Sequence, residues 1–83
     1  MKITLDEMQA FITVVDSGSI TGAAEQLEQT ISATSRTLAR LEAKLSTTLM
    51  RRSTRRLELT EEGATFLTRA RQIVESVQET EEL

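Results

Sequence analysis

The sequence predicts a small, mainly α-helical domain: three helices closed by a short β-hairpin and followed by one long helix. Three features predict it. Apolar residues recur at helical spacing in three separate stretches. The pattern changes to period two once, between Leu49 and Leu59. Hydroxyl residues or glycine stand where the helices would start and stop.

Leu5, Met8, Phe11, Ile12 and Val15 mark one face of a first helix over Thr4 to Asp16, ended by Ser17-Gly18. Ser19 or Thr21 caps a second helix running to about Leu27 or Glu28. Within it, Ala23-Ala24 are small enough for a neighbouring helix to approach closely, as a tight helix-turn-helix requires. After a break at Glu28-Gln29, Thr30 or Ser32 caps a third helix reaching about Leu45. At about 100° per residue, Thr34, Leu38, Leu41 and Leu45 form its buried stripe. Ser32, Arg36 and Arg40 project from the opposite side. Small residues there permit close approach to a major groove, while Ser and Arg donate to bases and phosphates. An amphipathic helix with a solvated basic face has the same pattern, so this helix alone leaves both readings open.

Leu57 and Leu59 alternate with Arg56 and Glu58, and Leu49-Met50-Arg51-Arg52 precedes them, which predicts a short hairpin around Ser53-Thr54-Arg55. A hairpin carrying arginines directly after a helix-turn-helix is a wing, suited to gripping phosphate or reaching into a minor groove. Thr60-Glu61-Glu62 then opens the last helix, with a hydroxyl cap and acids at the positive end of the helix dipole. Along it Phe66, Ala70, Ile73 and Val77 form a heptad-like seam, flanked by Leu67 and Val74. One face is expected to dock on the domain and the other to meet a second chain, since so long an amphipathic helix carries more apolar surface than a small body covers. Residues 1–59 thus read as a winged helix-turn-helix unit and residues 60–83 as a dimerising linker helix.

Composition narrows the function. A domain of 83 residues buries only about 60% of its unfolded surface, so its core is marginal without reinforcement. With no cysteine, a partner subunit is the obvious source. Histidine is absent too, which removes the commonest general base and the commonest transition-metal ligands. An enzyme is therefore not expected, nor a catalytic, metal or cofactor site. The three glycines are too far apart to cradle a phosphate. No apolar run approaches the roughly 20 residues that cross a bilayer. Met1 to Asp6 lacks a signal-peptide pattern, so a cytoplasmic location is expected.

The net charge of −3 looks wrong for a nucleic-acid binder until it is mapped. Between Thr30 and Thr60 seven basic residues face two acidic ones; the rest of the chain holds three basic and eleven acidic. Polyanion affinity follows where positive charge sits, and here it sits on the third helix and the hairpin.

The order of elements and the residues in them resemble the LysR-type transcriptional regulators. The resemblance rests on Phe11 with Val14-Val15, Gly18-Ser19-Ile20, Ala23-Ala24-Glu25-Gln26-Leu27, Ser35-Arg36, Leu38, Leu41-Glu42 and Leu45. It continues through Leu49, Arg52-Ser53-Thr54-Arg55-Arg56 and Leu59-Thr60-Glu61-Glu62-Gly63, covering nearly the whole chain. It implies a homodimer or higher oligomer joined through the long helix, on a partly palindromic promoter site in double-stranded DNA. The third helix would enter the major groove and the wing would lie against the minor groove. Matching DNA-contact positions are Ile31, Ser32, Ser35 and Arg36 on the helix, which the basic face extends to Arg40, and Arg52, Thr54, Arg55 and Arg56 on the wing. The dimerising positions are Phe66, Leu67, Ala70, Ile73, Val74 and Val77. The resemblance also implies a small-molecule inducer acting through a C-terminal domain that this chain lacks.

Four positions depart from the family pattern. Ile31 replaces a polar base-reading residue and would offer an apolar contact, for instance to a thymine methyl. Thr34 puts a hydroxyl on the buried stripe, expected to bond back to a helix carbonyl. Ser46 replaces a glycine, which argues against a tight left-handed helix end. Met50 replaces a phenylalanine with a softer filler. Two competing readings share parts of the pattern: a protein-interaction module whose basic block is incidental, and a winged domain from an unrelated regulator family.

Overall fold

The computed structural model describes residues 2–52 and 56–83. In chain order it contains α1 (Leu5–Ser17), α2 (Ile20–Leu27), α3 (Ile31–Leu45), β1 (Met50–Arg52), β2 (Leu57–Leu59) and α4 (Glu61–Glu81). The strands form one antiparallel ladder, pairing Met50 with Leu59, Arg51 with Glu58 and Arg52 with Leu57. This is the expected winged helix-turn-helix followed by a long helix.

Each helix starts on a hydroxyl. Thr4 Oγ1 accepts from the Glu7 amide while Glu7 Oε1 accepts from the Thr4 amide, a reciprocal capping box. Ser19, not Thr21, caps α2, and Thr30, not Ser32, caps α3. Thr60 caps α4, and its own hydroxyl donates to the Thr48 carbonyl, tying that helix start to the segment before β1.

Gly18 ends α1 at φ 80°, as its position predicts. The end of α3 differs from expectation. Ser46 adopts the left-handed conformation (φ 51°, ψ 40°), and its amide reaches the Ala43 and Glu42 carbonyls. A left-handed residue with a Cβ costs on the order of 1–2 kcal/mol. Satisfying two otherwise orphaned carbonyls offsets that cost, so the turn survives without glycine. Glu28 ends α2 in the same way. The last helix runs to Glu81, since neither glycine nor proline stops it earlier.

The core is built from Phe11 and Val14 of α1, Ala23 of α2, Leu38 and Leu41 of α3, and Leu49 ahead of β1. Ile20, Met50, Leu57, Phe66 and Leu67 pack around it. The Phe66 ring meets Phe11 edge to face at 5.5 Å, which seats the first half of α4 on α1. Thr34 is fully buried, and its hydroxyl donates to the Thr30 carbonyl as expected, and also to Gln29 Oε1. Glu42 anchors the hairpin: its Oε2 accepts from the Leu49 and Met50 amides at 2.7 and 3.2 Å. The wing is thereby attached to the helix that precedes it. No described helix is long and apolar enough to cross a membrane.

Candidate nucleic-acid interface

The exposed side of α3 begins with Ile31, 53% exposed, at the first helical position. Ser32 and Arg36 follow on the same side and are exposed, and Ser35 is half-buried beside them. Thr34, Leu38 and Leu41 carry the buried stripe, and on the opposite side no described residue covers Ile31, Ser32 or Arg36. Arg36 makes no hydrogen bond or ion pair with any described residue. An uncovered row of an apolar tip, hydroxyls and a guanidinium is chemically matched to a groove edge of a duplex.

Arg40 sits differently. A helical face drifts by about 40° every four residues, so by Arg40 the row has turned about 80° from Ser32, toward α1. There Arg40 Nε donates to Glu7 Oε2 at 3.1 Å, and Lys44 Nζ donates to the same oxygen at 2.8 Å. Lys44 also donates to the Lys2 carbonyl. Glu7 is 2% exposed. Burial alone would push its pKa up, but hydrogen bonds from Lys44, the Thr4 amide and Arg40, with the charge of Lys44, hold it down at about 2. The positive charge of α3 is therefore divided: Arg36 faces solvent, whereas Arg40 and Lys44 share a buried counter-charge. Sequence reading missed Glu7 as a partner. The Thr4-to-Glu7 spacing signals a capping box, but nothing local signals a pair formed 33 and 37 positions away.

Three arginines of the hairpin, Arg51, Arg52 and Arg56, are exposed. Arg56 Nε lies 3.5 Å from Glu58 Oε1. Arg52 Nη2 donates to Ser35 Oγ at 2.8 Å, linking the wing to α3. The expected contacts at Thr54 and Arg55 lie outside the described residues.

The six positions expected to dimerise separate into two groups. Ala70 is fully buried, and Phe66 and Leu67 pack on the core, so these three seat α4 on its own chain. Ile73, 44% exposed, and the half-buried Val74 and Val77 lie further along. Between the two groups Arg71 makes a bidentate pair with Asp16 of α1, at 2.6 and 3.2 Å, which lowers the carboxyl pKa and raises that of the guanidinium.

Residues 5–64 match the family described as "Bacterial regulatory helix-turn-helix protein, lysR family". The chain belongs to the lysR family. Among its curated relatives, the HTH-type transcriptional regulator CrgA of Neisseria meningitidis is 48% identical over 77 residues. That alignment covers 93% of this chain and 26% of CrgA, so the chain spans about a quarter of the length of such lysR relatives. The same fold recurs in solved lysR structures. The BenM_DBD/catB site 1 DNA complex superimposes with a TM-score of 0.93 at 29% identity, covering 96% of this chain and 90% of that one. The CbnR_DBD-DNA complex gives 0.90 at 32% identity, covering 96% and 92%. Membership in a lysR family of regulators, rather than of catalysts, agrees with the absence of histidine and cysteine.

Proposed function

We propose that this chain is the sequence-specific, double-stranded-DNA-binding domain of a LysR-type transcriptional regulator, working in the bacterial cytoplasm. One observation carries the reading. The uncovered face of α3 presents Ile31, Ser32 and Arg36 beside an arginine hairpin, in a chain whose remaining surface is acidic. In this arrangement α3 enters the major groove and the hairpin, with Arg52, Thr54, Arg55 and Arg56, lies against the minor groove. Two solved relatives of the same fold are complexes with DNA, which supports the DNA-binding reading. Residues 1–59 form the binding unit. Residues 60–83 form the linker helix, which would lead to a C-terminal domain that takes a small-molecule inducer. Two copies joined through Ile73, Val74 and Val77 would face the halves of a partly palindromic promoter site.

A mobility shift with the upstream region of the protein's own gene, across a salt series, tests the proposal. Affinity should fall steeply with salt as arginine–phosphate contacts release counterions. Binding that ignores salt, or no binding at any concentration, would refute it. In the same assay Arg36→Ala should cost about 1–3 kcal/mol, unevenly across sequences, if it reads a base. Arg40→Ala should cost less, because its guanidinium is already engaged by Glu7. Equal losses on operator and random duplex would confine Arg36 to phosphate.

The dimer has a separate test. Ile73→Asp places a charge on the exposed part of the α4 seam, away from Phe66 and Ala70. It should split the dimer in sedimentation experiments while leaving the fold intact, and weaken operator binding by removing half of the contacts. An unchanged dimer would remove Ile73 from the interface.

A further inference from the structure

The hydroxyls of α3 are not chemically equivalent. Thr34 and Thr37 donate their protons to the carbonyls four residues back, Thr30 and Ala33, at 3.1 and 3.0 Å. Those protons are spent within the chain, the one of Thr34 being shared with Gln29 Oε1. Ser35 makes no such bond among the described residues. Its oxygen is instead an acceptor, taking 2.8 Å from Arg52 Nη2 at the end of β1. A hydroxyl has one proton, and its oxygen carries two lone pairs. With a guanidinium on the oxygen, the proton of Ser35 remains, and the adjacent positive charge makes that O–H a stronger donor.

Arg52 is held for this task from two sides. Its strand pairs with Leu57, and the amides at the strand's start are fixed by Glu42 of the same α3 helix. Ser35, Arg52 and Glu42 line a common small cleft of about 90 Å³ between α3 and the hairpin. The guanidinium therefore reaches Ser35 from a strand that α3 itself positions.

We infer that Arg52 acts on DNA partly through Ser35: by occupying one lone pair of its oxygen and placing a positive charge beside it, Arg52 biases Ser35 toward donating its proton to an acceptor on the duplex. This rests on the DNA-binding reading and adds a polarity to it. The acceptor is a purine N7, a guanine O6, a thymine O4 or a phosphate oxygen. The amino groups of adenine and cytosine are disfavoured, because they would compete with the Arg52 guanidinium for the Ser35 oxygen and leave the Ser35 proton unused. Arg52 is in this respect a positioning residue, beyond any phosphate it touches itself.

The experiment is a double-mutant cycle in operator affinity, using Ser35→Ala, Arg52→Ala and the double variant. Urea unfolding should show that all are folded. Each single change should weaken binding, Ser35→Ala by about ten-fold. In the Ser35→Ala background, the loss from Arg52→Ala should shrink at least about three-fold. Arg52→Lys, which still offers a donor to Ser35, should recover part of the coupling, and Ser35→Thr should retain it. Repeating the cycle on duplexes with single-base changes separates the two acceptor sources. If Ser35 meets a base, both variants flatten the preference at the same operator position. If it meets a phosphate, both lose the same factor on every duplex, and the coupling persists. Strictly additive losses in folded variants would overturn the inference while leaving the DNA reading in place. A wild-type chain that binds no duplex would overturn both.

Discussion

Gly63→Ala is expected to destabilise the domain by about 3 kcal/mol, the upper end for forcing an extra methyl into a packed site. A Cβ added at Gly63 would stand 2.0 Å from the Leu49 carbonyl oxygen, 2.9 Å from its carbon and 3.2 Å from the Leu49 Cα. All three are backbone atoms, which cannot rotate aside as a side chain can. Nor can that backbone retreat. The Leu49 carbonyl accepts from the Thr60 amide at 3.0 Å, the Leu49 amide is held by Glu42, and the Leu49 side chain is only 2% exposed. The sign makes the experiment decisive, because helix propensity argues the other way. Alanine inside a helix is favoured over glycine by about 1 kcal/mol. If propensity governed, the variant would melt higher. The close approach instead predicts a melting point lower by on the order of 15 °C for a domain of this size. A loss below about 1 kcal/mol would show that α4 can lift from its seat without cost.

The same glycine shows what a sequence discloses and what it conceals. Four helices, one hairpin and their order follow from local pattern, since periodicity and capping act over three or four residues. Thr60 is legible as a cap for that reason, and Ser19 and Thr30 are each one of two neighbouring candidates. Gly63 stands in the first turn of a well-capped helix, where nothing local asks for glycine. The reason is a carbonyl fourteen residues earlier, brought there by the hairpin. Ser46 errs in the other direction: a residue that locally disfavours the left-handed turn adopts it because two carbonyls need its amide.

The candidate site divides along the same line. Ser32 and Arg36 are exposed as the helical projection requires, since a projection knows which side of α3 is buried. It does not know what stands beside the helix. Arg40 shares the basic face on paper, yet Glu7 of α1 occupies the space it turns into. Arg52 looks like one of several wing cations, yet it reaches back to α3, across 17 positions. The seam of α4 is continuous in sequence and divided in space. Phe66 meets Phe11 of α1 and Ala70 is buried because α4 starts against Leu49, while the helix outruns the small body it crosses, which leaves Ile73 open.

Acid should unfasten α1 from α3, and Glu7 is the group responsible. Its carboxyl sits at about 2 in the folded chain, against 4.5 for the ordinary group. A depressed carboxyl stabilises the fold fully above the unfolded value, and that stability drains away as pH falls from about 4.5 through about 2. At about 1.4 kcal/mol per pH unit the contribution is on the order of 3 kcal/mol. Urea midpoints measured from pH 7 to pH 2.5 should therefore fall steeply in this window for the wild type. Glu7→Gln keeps the shape and an acceptor oxygen but never carries charge. It should be less stable than wild type at pH 7, with Lys44 and Arg40 left facing a neutral group, and the two curves should converge toward pH 2.5. Asp16→Asn is the control. Its carboxyl is lowered in the same direction by Arg71, but the pair is about half-exposed and worth no more than about 1 kcal/mol. Parallel curves for the wild type and Glu7→Gln would place the acid sensitivity elsewhere and leave Glu7 only its cap on α1. Convergence would mean that one buried carboxylate, through Arg40 and Lys44, holds α1 against α3.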